Sequence, residues 1–186
     1  MKLNIKNMVC DRCKMVVKSE LEKLGYSILS VELGHIELLH SINPSEKEQI
    51  RKTLEALGFF LIDDKKSLLI ERIKNLIIEL VHKEYSALKT NLSDHLSSHL
   101  LHDYHYLSNL FSAEEGTTIE KYFIAQKIEK VKEYLVYDEL SLSEIAYRMN
   151  YSSVAYLSSQ FKKVTGLTPS QYKNLEGNKR TPLDQL

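Results

Sequence analysis

A segment of this chain repeats itself fifty residues further on, and the repeat restricts the fold more than any other feature. Tyr106-Leu107-Ser108 and Phe111 return as Tyr156-Leu157-Ser158 and Phe161, and the same offset pairs Gly116 with Gly166, Thr118 with Thr168 and Tyr122 with Tyr172. Upstream the match improves at an offset of forty-nine, with Leu96-Ser97 against Ile145-Ala146, so the first copy is one residue shorter in the intervening turn. Self-similarity of this kind means one supersecondary unit used twice. In both copies the apolar residues keep helical spacing. The first unit runs from about Leu92 to Ala113, with Leu92, Leu96, Leu100, Leu107 and Phe111 inside. The second runs from Leu142 to Val164, with Leu142, Ile145, Ala146, Met149, Leu157 and Phe161 inside. Ser93 and Ser141 are placed to cap the opening helices, and the small residues Ser97 and Ala146 allow close approach of each helix pair. Ile119, Phe123, Ile128, Val131 and Leu135 form a connecting helix. Two helix-turn-helix units at a fixed separation can present two helices to successive major-groove turns, ~34 Å apart along one face of DNA.

Residues 1–64 have a different rhythm. Lys2–Met8 alternates polar and apolar side chains as a half-buried strand does. From Cys13 onward Val16, Val17, Leu21 and Leu24 take up helical spacing, and Gly25 stops it. Tyr26–Val31 and His35–His40 read as strands joined by a turn at Leu33-Gly34. Pro44 opens a second helix carrying Ile50, Leu54 and Leu57, ended by Gly58, and Phe59–Ile62 is a last short strand. The order βαββαβ predicts a ferredoxin-like sandwich with two helices on one sheet face. The fold class is therefore α+β, a small sandwich followed by an all-α domain of two helix-turn-helix units joined by a long helix. Asp63-Asp64-Lys65-Lys66 is the expected junction between a domain at 1–64 and one at 67–175, and residues 176–186 form a tail. So short a charged junction predicts stiff coupling between the two domains.

The two cysteines, Cys10 and Cys13, lie three apart between the first strand and the first helix. A disulfide there would close a very small loop and stabilise little, so metal binding or redox chemistry is the better expectation. The dipole of the following helix favours a thiolate at Cys13. Two soft sulfurs with no further Cys or His close in sequence favour a soft, low-coordinate ion such as Cu(I), whereas tetrahedral zinc needs two more ligands. With Met8 ahead of the pair, and with Leu54-Glu55-Ala56-Leu57-Gly58-Phe59 closing the segment, residues 1–64 resemble a heavy-metal-associated domain. In that copper-chaperone-like module the motif is G-M-x-C-x-x-C, and Asn7 stands here in place of the glycine. The resemblance implies Cys10 and Cys13 as metal ligands, Met8 packed beneath the loop and Phe59 close by. Cu(I) is the favoured ion, with Ag(I), Zn(II), Cd(II) and Hg(II) as further candidates.

Charge neither adds to nor removes the nucleic-acid reading. The chain of 186 residues carries 25 Lys+Arg against 25 Asp+Glu, and the two signs stay near balance from Ser67 onward. That lowers the nonspecific, salt-dependent part of any DNA affinity without setting the local field. At 43% hydrophobic and 27% charged residues the composition is that of an ordinary globular protein. Its apolar runs stay short of the ~20 residues that span a bilayer. With no apolar leader in its first residues, the expectation is a cytoplasmic protein with no membrane association.

The second repeat carries a more specific signature: Ser143-Glu144-Ile145-Ala146, Asn150-Tyr151, Tyr156-Leu157, Phe161-Lys162-Lys163 and Gly166-Leu167-Thr168-Pro169-Ser170-Gln171-Tyr172. In these residues, and in Tyr106–Phe111, Gly116, Tyr122, Lys127 and Leu135 of the first half, residues 67–175 resemble the DNA-binding domain of the AraC/XylS family of transcription regulators. The resemblance implies that the first recognition helix offers Tyr104, His105, Ser108 and Asn109 to the groove. The second offers Ser153, Val154, Ala155, Ser158 and Ser159, with Gln160, Lys162 and Lys163 as phosphate contacts. Asn reads adenine, Ser either base, and Val154 or Ala155 can touch a thymine methyl, so A·T-leaning sites of modest affinity are expected.

Two side signals compete with these readings. His95, His99 and His102 recur at i, i+4 and i+7, a spacing able to hold a metal and also common on a solvated helix face. The stripe Leu69, Ile73, Leu76, Leu80 could zip to a second chain as a homodimer, or be the buried first helix of the helical domain. Paired carboxylates, a Ser-His-Asp order and a Gly-rich phosphate loop are all missing from the sequence, so no enzyme is expected. The sequence therefore points to a metal-responsive DNA-binding regulator. A metal chaperone or buffer whose helical half docks a protein, and a regulator sensing thiol redox state, are the alternatives.

Overall fold

The computed structural model describes residues 1–82, 91–137, 139–174 and 183. The chain divides into two compact units, Met1–Asn75 and Leu76–Leu186. Residues 83–90, 138 and 175 of the expected helical domain, and all of the expected tail but Leu183, lie outside the described residues.

In the first unit the elements run β1 (Lys2–Lys6), α1 (Asp11–Lys23), β2 (Ile28–Glu32), β3 (His35–Leu38), α2 (Pro44–Glu55) and β4 (Phe60–Ile62). The four strands form one sheet in the order β2-β3-β1-β4, antiparallel at every pairing, with Leu3 opposite Ile36 and Ile5 opposite Leu61. Alternation decides which face is covered. Leu3, Ile5, Ile36 and Leu38 project to one side and are buried with Val17 and Leu21 of α1 and Ile50 and Leu54 of α2. The amphipathic stripes of both helices are thereby buried against one sheet face. Helix α2 begins with a capping box, Asn43 accepting from the Glu46 N–H and Glu46 accepting from the Asn43 N–H, followed by Pro44 at its first position.

The charged junction is built into the structure. Asp63 accepts from Lys47 at 2.6 Å and from Arg51 at 2.8 Å, which ties the end of β4 to α2 and holds its carboxyl below the usual range. Asp64 accepts from the Ser67 N–H at 2.8 Å and opens α3 (Lys65–His82). The division between the units falls inside α3, between Asn75 and Leu76. Gly34 shows how closely α3 approaches the β2–β3 turn: a Cβ at that position would lie 2.2 Å from the Asn75 side chain. Leu69, Ile73 and Leu80 are buried within the chain along with Ile70, Ile77, Ile78 and Val81. Three of the four positions of the anticipated zipper stripe are thus core positions.

The second unit is helical: α4 (Leu92–Leu100), α5 (Tyr104–Glu115), α6 (Ile119–Tyr137), α7 (Leu142–Arg148), α8 (Val154–Thr165) and α9 (Pro169–Lys173). Helix α4 packs on α5 and α7 on α8, while α6 touches α5, α8 and α9. Among the described residues, no helix is long and apolar enough to cross a membrane.

Candidate nucleic-acid interface and thiol loop

The sequence repeat is a structural repeat. Helices α5 and α8 both have 12 residues, start fifty positions apart and show nearly the same pattern of exposure along their length. Leu107 and Phe111 in one, Leu157 and Phe161 in the other, are fully buried. Both helices end on a left-handed glycine, Gly116 and Gly166, which supplies the positive φ of a helix C-cap. Beyond them Thr118 and Thr168 each accept a backbone N–H three residues on, at 3.2 Å. The rings of Phe111 and Tyr122 are 5.7 Å apart, and those of Phe161 and Tyr172 are 5.5 Å apart. The turns differ by the expected single residue. Leu101 (φ 56) turns the chain after α4 and Asn150 (φ 51) after α7, with two residues following Leu101 before α5 and three following Asn150 before α8.

Each second helix is pinned at its N-terminus by a side chain. Asp103 accepts from the N–H groups of His105 and Tyr106 at 2.9 and 3.3 Å, and Ser153 accepts from Tyr156 at 3.1 Å. For α7, Ser141 and Glu144 form a complete capping box. Ser93 is not the cap of α4. The helix starts at Leu92 with Asn91 as its cap, and no side chain completes that cap.

The residues expected to meet DNA separate into two groups. His105, Asn109, Ala155, Ser159, Lys162 and Lys163 are exposed, and Ser108, Val154 and Ser158 are half-buried beside them. His105 with Asn109 and Ala155 with Ser159 occupy corresponding i, i+4 positions of the two helices. The Asn109 side-chain nitrogen lies 3.1 Å from His105 Nε2. Three others are already engaged within the fold. Tyr104 donates its hydroxyl to Glu120 of α6, and burial together with that carboxylate raises its pKa well above the ordinary tyrosine value. Gln160 accepts from the Tyr151 hydroxyl at 2.6 Å, and Ser153 is the α8 cap. Glu120 went unnoticed in the sequence because its partner sits sixteen residues away across a turn. Tyr106 and Tyr156, matched in the repeat, are half exposed on the same helices, a placement that a repeat alone does not give.

Helix α6 is buried on most of its surface, and polar residues share that burial. Gln126 donates to Tyr122 at 3.0 Å, Glu129 pairs with Lys132, and Lys127 lies 3.8 Å from the centre of the Tyr151 ring. Desolvation holds Lys127 down at about 8.

In the first unit Cys10 caps α1 in extended conformation and Cys13 lies in its first turn. Their sulfurs are 3.2 Å apart and half-buried. Met8 is buried in the core beneath this loop, with Phe59 in the same cluster and Cys13 packed against it. Asn7 holds φ 72 and donates to the Gly58 carbonyl at 2.9 Å. The residue standing in for a glycine thus takes a glycine's backbone conformation and adds a tie to the α2–β4 turn. One expectation is corrected. Burial, reinforced by the hydrogen bond with Cys10, pushes the Cys13 thiol up rather than down, so the thiol outweighs the thiolate here despite the helix terminus. Among the described residues no group of three or more His, Cys, Asp or Glu converges as a metal site. What the described residues bring together at this loop is two facing thiols.

Residues 96–175 match the family model described as a helix-turn-helix domain. The helical half of the chain thus carries a helix-turn-helix domain, similar to domains found in transcription regulators. It is 36% identical over 69 residues to the xylose operon regulatory protein of Escherichia coli K12, a match covering 37% of this chain and 18% of that protein. A second relative, named "Probable transcriptional regulator LumQ" and from Photobacterium leiognathi, is 21% identical over 178 residues, covering 89% of this chain and 70% of its own length. Among solved structures the chain is similar to the C-terminal domain of AraT, a response regulator from Geobacillus stearothermophilus. The TM-score is 0.52 with 27% identity, covering 63% of this chain and 94% of that one. All three bear the names of regulators. The chain spans less than a fifth of the xylose operon protein, so the match concerns the domain.

Proposed function

We propose that this chain is a sequence-specific DNA-binding transcription regulator whose occupancy of DNA responds to a soft metal ion, Cu(I) before the others, held by Cys10 and Cys13. The observation that carries the DNA half is the duplicated unit, with two matched exposed helices, matched caps and matched aromatic pairs. His105, Asn109, Ser108, Ala155, Ser158 and Ser159 face the bases, with Val154 at their edge, and Lys162 and Lys163 face phosphates. Tyr104, Ser153 and Gln160 act in shaping the helices as much as in touching DNA. The metal half rests on the facing thiols at the mouth of α1 and on the ferredoxin-like reading of the β2-β3-β1-β4 sheet. When bound, the ion supplies a fixed cross-link between Cys10 and Cys13. The residues around it exclude water through Met8 and Phe59, and a proton must leave Cys13, so metal affinity falls with falling pH. Domain limits at 1–64 and 67–175, and a cytoplasmic site of action on double-stranded DNA, belong to the same reading.

The test is a mobility-shift assay of the full chain on DNA flanking its own gene, with Cu(I) supplied or chelated. Metal-dependent change in affinity, lost in Cys10→Ser and Cys13→Ser, supports the reading. If no fragment shifts in either condition, the regulator gives way to a metal buffer with a protein-docking half. If a thiol oxidant with metal chelated reproduces the change, the loop is a redox sensor and not a metal sensor.

A further inference from the structure

Helices α5 and α8 match in length and in buried face, but their exposed residues differ in chemistry. At the fifty-residue offset His105 and Asn109 stand where α8 has Ala155 and Ser159. Ser112-Ala113-Glu114-Glu115 stands where α8 has Lys162-Lys163-Val164-Thr165. The outward pair of α8 offers one small hydroxyl, whereas that of α5 offers an imidazole and an amide, both exposed. Helix α5 is thus the poorer in cations for phosphate and the richer in groups that hydrogen-bond to base edges.

One contact sets how those groups face outward. The Asn109 side-chain nitrogen lies 3.1 Å from His105 Nε2. An amide nitrogen donates and does not accept, so Nε2 is the acceptor and the proton of the neutral ring sits on Nδ1. One of the two amide hydrogens is engaged with His105, and the other stays beside Oδ1. Among the described residues, no other side chain engages the Asn109 amide. Its outer edge therefore carries a donor and an acceptor side by side, which match N7 and the N6 amino group of adenine in the major groove. Turned over, the amide would set Oδ1 against the His105 lone pair. It would then present N–H groups alone, which suit the two acceptors of guanine.

We propose that His105 is a positioning residue for Asn109, holding its amide in the orientation that reads adenine and makes α5, not α8, the helix that specifies that base. The proposal rests on the DNA-binding reading above and adds which helix reads which base, and why. Two helices alike in structure are then unequal readers, and the chain lies on its DNA in one orientation.

The test uses the full chain in two measurements. Without DNA, a long-range 1H–15N spectrum at alkaline pH is expected to show His105 as the Nδ1–H tautomer, reverting to Nε2–H in Asn109→Ala. With DNA, sites are selected from random duplexes. The native chain is expected to favour adenine at one position by about tenfold, a preference lost in Asn109→Ala. His105→Ala weakens the preference at that same position by about twofold or more, although Asn109 remains. His105→Gln, whose side-chain carbonyl can accept from Asn109 across one helical turn, restores it. Ser159→Ala leaves that position as it was. An Nε2–H tautomer in the native chain overturns the proposal, as does an adenine preference indifferent to His105→Ala or not restored by His105→Gln. Retained DNA with no adenine position dependent on Asn109 overturns this proposal alone. If no duplex is retained, the DNA-binding reading fails and takes the proposal with it.

Discussion

Among the described residues, the non-glycine residues with positive φ are Asn7, Leu101 and Asn150. The two asparagines suit that region, since a short polar side chain tolerates it better than other L-residues do. Leu101 does not, and it is 87% exposed, so no packing offsets the strain. Leu101→Gly is therefore expected to raise stability by about 1 kcal/mol, read as a higher urea midpoint at unchanged slope. An unchanged or lower midpoint would mean that the turn relaxes when that side chain is gone. Lys127 gives a prediction in pH. The unfolded chain keeps this proton up to about 10.5, while the native lysine releases it near 8. Between those values the unfolded state binds more protons, so stability rises with pH, by at most about 1.4 kcal/mol per pH unit. The difference in stability between the native chain and Lys127→Met, followed from pH 7.5 to 9, should shift by about 1 kcal/mol in favour of the native chain. A flat difference would show that the ammonium is solvated.

At the scale of elements, caps decide where helices begin. Ser141 and Glu144 share a reciprocal hydrogen-bonded box at the head of α7, and Ser141→Ala is expected to cost about 1 kcal/mol. Ser93 sits inside α4 and not at its start, so Ser93→Ala should stay within about 0.5 kcal/mol of the native chain. Equal losses in chemical denaturation would return Ser93 to the role its sequence suggests. Much of this scale was legible beforehand. The βαββαβ order of the first unit, the helix pairs of the second and the missing residue in the first turn all follow from periodicity and from the offset between copies. Boundaries were less legible: strands expected to reach Met8 and His40 end at Lys6 and Leu38. A polar alternation continues past the last residue that finds a ladder partner, and only pairing ends a strand.

For the whole molecule, balanced charge leaves few cations for phosphate. Lys162 and Lys163 stand exposed in the last turn of α8, and the first helix-turn-helix unit has no lysine or arginine to match them. Removing both as Lys162→Ala/Lys163→Ala should lower the magnitude of the slope of log K against log salt by about 2, roughly one for each phosphate no longer neutralised, with base preference unchanged. A changed preference with an unchanged slope would place these lysines at base edges. The exposed His105–Asn109 pair, by contrast, is expected to govern preference at fixed salt.

The sequence by itself determined that the chain has a small alternating sandwich and a duplicated helix-turn-helix region, because periods of two and of 3.6 residues and a fifty-residue repeat are properties of the chain alone. It also determined that the two thiols face one loop, since three residues cannot separate them far. Tertiary structure alone decided that Tyr104 is held by Glu120, that Gln160 is held by Tyr151, and that Lys127, Glu129 and Lys132 of α6 are buried. It decided too that burial pushes the Cys13 thiol up. The physical reason is common to all four. Each depends on which groups are brought together, or removed from water, by segments whose approach the local pattern does not encode, and a side chain's charge, proton and availability follow from that company.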